Sequence, residues 1–291
     1  MSSSSARMVA VFLALAEVND LERSPAYKDA IHSREELAAY LGCVENGQSF
    51  GALAGDRGVG TFGGSEDHVA MLCCEAGKLS QYAFCPVRHE RSVPFPADHA
   101  LVIAASGVLA EKTGAAREAY NQASLSARAI VREWNAATGD QARVLGDVLA
   151  RGPETGRRLM TVVSPSLHAR LEQLVAESET IIPAAADALE RRDFAALGTL
   201  VVRSQANAEC LLGNQVPETI HLARSARTLG AVAASAFGAG FGGSVWAMVG
   251  AGDADRFARQ WHDAYVAAFP RHATRAEVFV TRPGPAAMRL E

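Results

Sequence analysis

The 291-residue sequence has no C-x-x-C pair, and its five cysteines, at 43, 73, 74, 85 and 210, are odd in number with two adjacent. That spacing suits neither a disulfide frame nor a zinc site, so reduced thiols in a cytoplasmic protein are expected. The chain also lacks any block of about five like charges. Lys and Arg number 28 against 32 Asp and Glu, a formal net charge of -4. This balance gives no reason to expect nucleic acid or an anionic membrane as partner. No basic leader opens the chain, so no signal peptide is expected. One long uncharged stretch exists, Leu229–Gly252, but Gly, Ala and Ser dominate it and it holds seven glycines. A lone membrane span needs ~20 strongly apolar residues, and this stretch fits a buried hairpin better. No internal repeat is present.

What is there suits a large core. Hydrophobic residues make up 49% and charged residues 21%, enough for one big domain or two ordinary ones. Ser2–Ser5 run directly into Ala6–Val18, which is apolar on nearly every side and predicts a buried helix with serines at its N-terminus. Ser33 and Glu36 have capping-box spacing, predicting a helix from Arg34 to near Glu45. Gly51–Gly64 is a glycine-rich loop, and "SEDHVAMLCCEAG" follows as a short helix with Glu66 and Asp67 in its first turn. Strands are expected at Leu79–Phe84, Arg91–Phe95 and Leu101–Ala105. From Glu111 to near Arg227 the chain reads as mostly helical. Breaks are expected at Thr138–Asp140, Gly152–Pro153, Ser164–Pro165, Pro183, Asp193 and Pro217. Strand-like runs at Ala231–Phe237 and Val245–Val249, a helix at Ala254–Phe269 and a strand at Glu277–Thr281 complete an α+β pattern. A boundary near 107 divides it into residues 1–107 and 108–291.

Two stretches carry chemistry. Small residues at a helix N-terminus let a phosphate reach free N–H groups at the positive end of the helix dipole, and serine hydroxyls add donors. Ser2, Ser3, Ser4 and Ser5 fit that role; a disordered serine tail is the plainer alternative. "GAGFGG", at Gly238–Gly243, is either a tight hairpin turn or bare backbone closing over a ligand. It is no dinucleotide fingerprint, because it opens a strand and not a helix, and no Gly-Lys-Ser/Thr follows it.

"LGAVAASAFGAGFGGSVWAMV" resembles the third motif of the GHMP kinases, and "SSSSA" with its helix resembles their second motif, G-L-S-S-S-A, which holds the ATP phosphates. "VENGQSF", "GTFGGSEDH", "LVIAASGV" and "AYNQAS" resemble segments of the galactokinase-like branch in order and rough spacing over nearly the whole chain. The resemblance implies a GHMP kinase-like α+β fold, with an incomplete N-terminal domain of ribosomal S5 type and a ferredoxin-like C-terminal domain. It implies ATP and Mg²⁺ as cofactors and a small-molecule sugar as substrate, in a monomer or weak homodimer. The alternatives are an arabinose, heptose or mevalonate kinase, a non-catalytic sugar- and nucleotide-binding regulator, or an inactive fragment.

By the same resemblance Asp67 is the catalytic carboxylate that accepts the proton of the sugar hydroxyl; an aspartate there can also simply cap a helix. Ser4 and Glu45 share the Mg²⁺, a metal that prefers oxygen ligands and keeps several waters. For Glu45 the alternative is a solvated charge at a helix end. Gly64 and Tyr120 lie near the sugar, and Gly238, Gly240, Gly242 and Gly243 lie beside the phosphates, where side chains would clash. His68 replaces a common glutamine, Glu66 replaces an apolar residue, and "ALAGDRGVG" lengthens the interval from Glu45 to Asp67. Met1 stands at the leucine position of G-L-S-S-S-A. The resemblance therefore implies a start upstream of Met1, in a segment bearing the first motif.

Overall fold

The computed structural model describes residues 2–109, 114–152 and 154–288. Met1, Glu111 and Pro153 lie outside the described residues, and with them the expectations about the start, the onset of the helical region and one helix break. The chain divides into two compact units, residues 1–94 with 283–291 and residues 95–282.

The first unit begins with α1 (Ser3–Val18), α2 (Pro25–Ala30) and α3 (Arg34–Asn46). Ser33 caps α3 by accepting from Glu36 N, while the Glu36 carboxylate reaches one residue further back, to His32 N. Helix α4 (Glu66–Cys73) and an antiparallel pair, β1 (Lys78–Ala83) and β2 (Arg88–Pro94), follow. Val9 of α1, Leu37, Ala38 and Leu41 of α3 and Val69 and Leu72 of α4 form the core. Burial of the valine and leucine side chains contributes on the order of 2 kcal/mol each. Helix α1 is not buried all round as its composition suggests: Val11 and Leu15 are 53% exposed and Val18 83%. Its fully buried residues are Ser5, Val9 and Ala16, and Val9 meets the core with the half-buried Phe12 and Leu13 beside it.

In the second unit, β3 (His99–Ala105) precedes a helical run. It comprises α5 (Gly114–Thr138), α6 (Leu145–Leu149), α7 (Glu154–Val162), α8 (His168–Val175), α9 (Ile182–Glu190), α10 (Phe194–Asn207) and α11 (Pro217–Thr228). Pro183 does not break the chain. A π-helical segment, Ala176–Ile181, joins α8 to α9 and absorbs the hydrogen bond that proline cannot donate. The hairpin β4 (Ala233–Phe237) and β5 (Ser244–Gly250), then α12 (Ala254–Ala268) and β6 (Glu277–Thr281), complete the unit. The strands form one antiparallel sheet in the order β4-β5-β3-β6. Ala100, Val102 and Ala104 alternate along β3 beside Val245, Ala247 and Val249 of β5, and all six pack with Leu222, Phe257, Trp261 and Tyr265 of α11 and α12. Because β3 pairs on both sides with strands of this unit, the unit begins before residue 107, at Phe95.

Candidate active site

Helix α1 starts without a side-chain cap and without an acidic residue in its first turn. Its leading N–H groups are therefore open to an anion. The serines at its N-terminus are held by two carboxylates. Ser2 Oγ donates to Asp67 Oδ2 at 2.5 Å, and lies 3.0 Å from Ser5 Oγ. Ser4 Oγ donates to Glu45 Oε1 at 2.8 Å, and Ser5 Oγ donates to Glu45 Oε2 at 2.7 Å. Ser3 stands apart, exposed and with no side-chain hydrogen bond among the described residues.

Glu45 is not a solvated helix end. It follows Leu37, Ala38 and Leu41 along the buried stripe of α3 and is 8% exposed. A carboxyl group so enclosed needs hydrogen-bond partners, and the two serines supply them. His68, 1% exposed, brings Nε2 to 3.3 Å from Glu45 Oε2, without the alignment of a hydrogen bond. Asp67 is the second residue of α4 and half-buried, with its carboxylate turned to Ser2. Beside it, the Glu66 carboxyl sits in a crowded recess although the residue as a whole is exposed. Burial and then the charge of Asp67 raise its pKa.

The loop between α3 and α4 is anchored by Asn46, whose amide uses all its hydrogen-bonding capacity. Nδ2 donates to Gly42 O and Gly63 O, and Oδ1 accepts from Thr61 Oγ1 and Gly63 N. A cavity of about 230 Å³ is lined by Ser4, Glu45 and Arg57 together with Met8, Val44, Gly58 and Val59. Gly64, at the end of the loop, lies under the Phe84 ring, which a Cβ there would approach to 2.9 Å.

In the second unit, the glycine loop joins β4 to β5. Gly238, Gly240, Gly242 and Gly243 all have positive φ, and so does Phe241, at 58°. A Cβ on Gly240 would fall 2.2 Å from Asn214 O, and one on Gly242 would fall 2.8 Å from Val108 O. All four glycines are thus required by their own backbone, and Gly240 and Gly242 by close intrachain contacts as well. Asn214 accepts from Phe241 N and donates from Nδ2 to Ala239 O; Val108 O accepts from Gly243 N; Ser106 Oγ donates to Gly243 O. Tyr120 is half-buried on α5. Asn46 and Ser106 lie in the resembling segments "VENGQSF" and "LVIAASGV", but nothing in the sequence marks them or Asn214 as anchors. The local signal at Asn46 is the Asn46-Gly47 dipeptide, a turn marker at the end of α3.

Among the described residues no cluster of three His, Cys, Asp or Glu side chains could hold a metal ion, and no helix is long and apolar enough to cross a membrane. The oxygens of Ser4 and Glu45 nevertheless match the small protein share of a magnesium shell, most of which is water and phosphate.

Residues 185–267 match the family model described as GHMP kinases C terminal. A galactokinase of Thermococcus kodakarensis is 29% identical over 198 residues, 68% of this chain and 51% of that protein. The match thus spans about half the length of that relative. The crystal structure of Lactococcus lactis galactokinase complexed with galactose superposes with a TM-score of 0.78 at 20% identity, over 100% of this chain and 67% of the other. Residues 185–267 thus match a GHMP kinase C-terminal domain, and the chain has the α+β fold of that galactokinase structure.

Proposed function

We propose that the chain is a galactokinase-like sugar kinase, transferring the γ-phosphoryl group of ATP to the anomeric hydroxyl of an aldose. The observation that carries this reading is the pairing of two carboxylates with one serine-lined helix N-terminus, Asp67 with Ser2 and Glu45 with Ser4 and Ser5. Phosphoryl transfer needs a cradle for the phosphates, a charge clamp and a group that takes the proton of the attacking hydroxyl. The open N-terminus of α1 is the cradle. Ser4 and Glu45 would hold Mg²⁺, which when bound neutralises charge on the phosphates. Asp67 accepts the sugar proton, and the Ser2 hydroxyl holds its carboxylate in place meanwhile.

The test is ADP formation with ATP, Mg²⁺ and a panel of aldoses including galactose. Asp67→Asn should cut turnover by at least about a hundredfold while leaving nucleotide affinity near that of the wild type. Wild-type turnover in that variant would reduce Asp67 to a helix-terminal residue.

A further inference from the structure

The loop "ALAGDRGVG", which lengthens the interval between Glu45 and Asp67, is folded back tightly onto the end of α3. Val59 N donates to Glu45 O at 2.9 Å, and Gly55 N donates to Ser49 Oγ at 2.9 Å. The approach is so close that it depends on glycine. A Cβ on Gly58 would lie 2.2 Å from Gly47 N, and one on Gly55 would lie 2.4 Å from the Gln48 carbonyl carbon. Gly47 itself turns with φ 69°. Two residues, Asp56 and Arg57, lie between Gly55 and Gly58, and this packing of the backbone sets Arg57 on the wall of the cavity that Ser4 and Glu45 also line.

Arg57 is exposed and has no ion-pair or hydrogen-bond partner among the described residues. The Glu45 oxygens on the same cavity wall take the Ser4 and Ser5 hydroxyls. An unpaired guanidinium on an anchored stretch of backbone, lining the same cavity as Ser4 at an uncapped helix N-terminus, suits a planar two-point contact with a phosphate. We infer that Arg57 contacts the nucleotide phosphates at this site and is a binding residue supplied by the loop. The inference rests on the kinase reading for the identity of the anion.

The experiment is calorimetric titration of Mg²⁺-ATP into the wild-type chain and into Arg57→Ala and Arg57→Lys. Arg57→Ala should weaken binding about ten- to hundredfold, the loss of a charged hydrogen-bonded contact, and Arg57→Lys should recover part of it. Thermal unfolding should be unchanged, since the side chain touches nothing in the free protein. Equal affinity in wild type and Arg57→Ala overturns the inference and leaves the kinase reading standing. Arg57-dependent binding without turnover on any aldose supports the inference and refutes the kinase reading. A wild-type chain that binds no Mg²⁺-ATP refutes both.

Discussion

Gly240→Ala and Gly243→Ala form a matched pair that separates two reasons for a glycine. Both residues have φ 84°, so alanine at either site costs about 1–2 kcal/mol for a left-handed conformation. At Gly243 nothing lies within 4 Å of the new Cβ, and the cost ends there. At Gly240 the Cβ would fall 2.2 Å from Asn214 O, an overlap with backbone that no side-chain rotation relieves. The loop must move away from Asn214, which breaks the Phe241 N to Asn214 O and Asn214 Nδ2 to Ala239 O hydrogen bonds. Each is worth about 1 kcal/mol, bringing Gly240→Ala to about 3–4 kcal/mol. Urea unfolding followed by tryptophan fluorescence reads this directly, because Trp134, Trp246 and Trp261 all lie in the second unit. With m of about 2 kcal/mol/M, the midpoints should fall by about 0.7 M for Gly243→Ala and about 1.7 M for Gly240→Ala. Equal shifts would show that Asn214 does not dictate the glycine.

Glu45→Gln should weaken Mg²⁺-nucleotide binding about tenfold more than binding of nucleotide without metal, measured by titration with and without EDTA. Ser5→Ala leaves a buried carboxylate oxygen without its hydroxyl donor, and should lower stability to urea by about 1–3 kcal/mol. Asp98 has its pKa lowered from 3.8 to about 2, first by the hydrogen bond from His99 and then by that from Arg192. A depressed carboxylate stabilises the fold above its unfolded pKa. That contribution is lost as pH falls from about 4 through about 2. Asp98→Asn should therefore flatten the acid limb of the stability curve across that window, in urea titrations at graded pH.

Much of the element order was legible because local chemistry and tertiary packing agree. The Ser33 cap, the alternation in β3 and β5, and β6 at Glu277–Thr281 all follow from spacing alone. Pro183 misled because a π-helical segment eight residues after the start of α8 changes where the proline N–H would be needed, and no residue pattern marks such a segment. The apolar face of α1 misled for another reason: composition reports what a helix can bury, not what lies against it. At the site, the serine run and the two acids could be read from the motif resemblance. The hydrogen-bonded arrangement could not be, because Ser2 meets Asp67 and Ser5 meets Glu45 across long sequence separations. His68, Asn46 and Asn214 act through such long-range contacts as well, and a lone His or Asn carries no periodicity.

The place of β3 in its sheet bears on how the chain is made. This strand, at residues 99–105, is flanked by β5 at 244–250 and β6 at 277–281. On the ribosome it emerges early and must wait for most of the remaining chain before either neighbour exists. During that interval both its edges are open, and its apolar alternation is available to any other strand nearby. Loop closure over such distances slows folding. Synthesis that stalls inside α12 would deliver a chain with β3 paired on one side only, so slower growth at lower temperature should raise the soluble yield by lowering the concentration of such half-finished sheets.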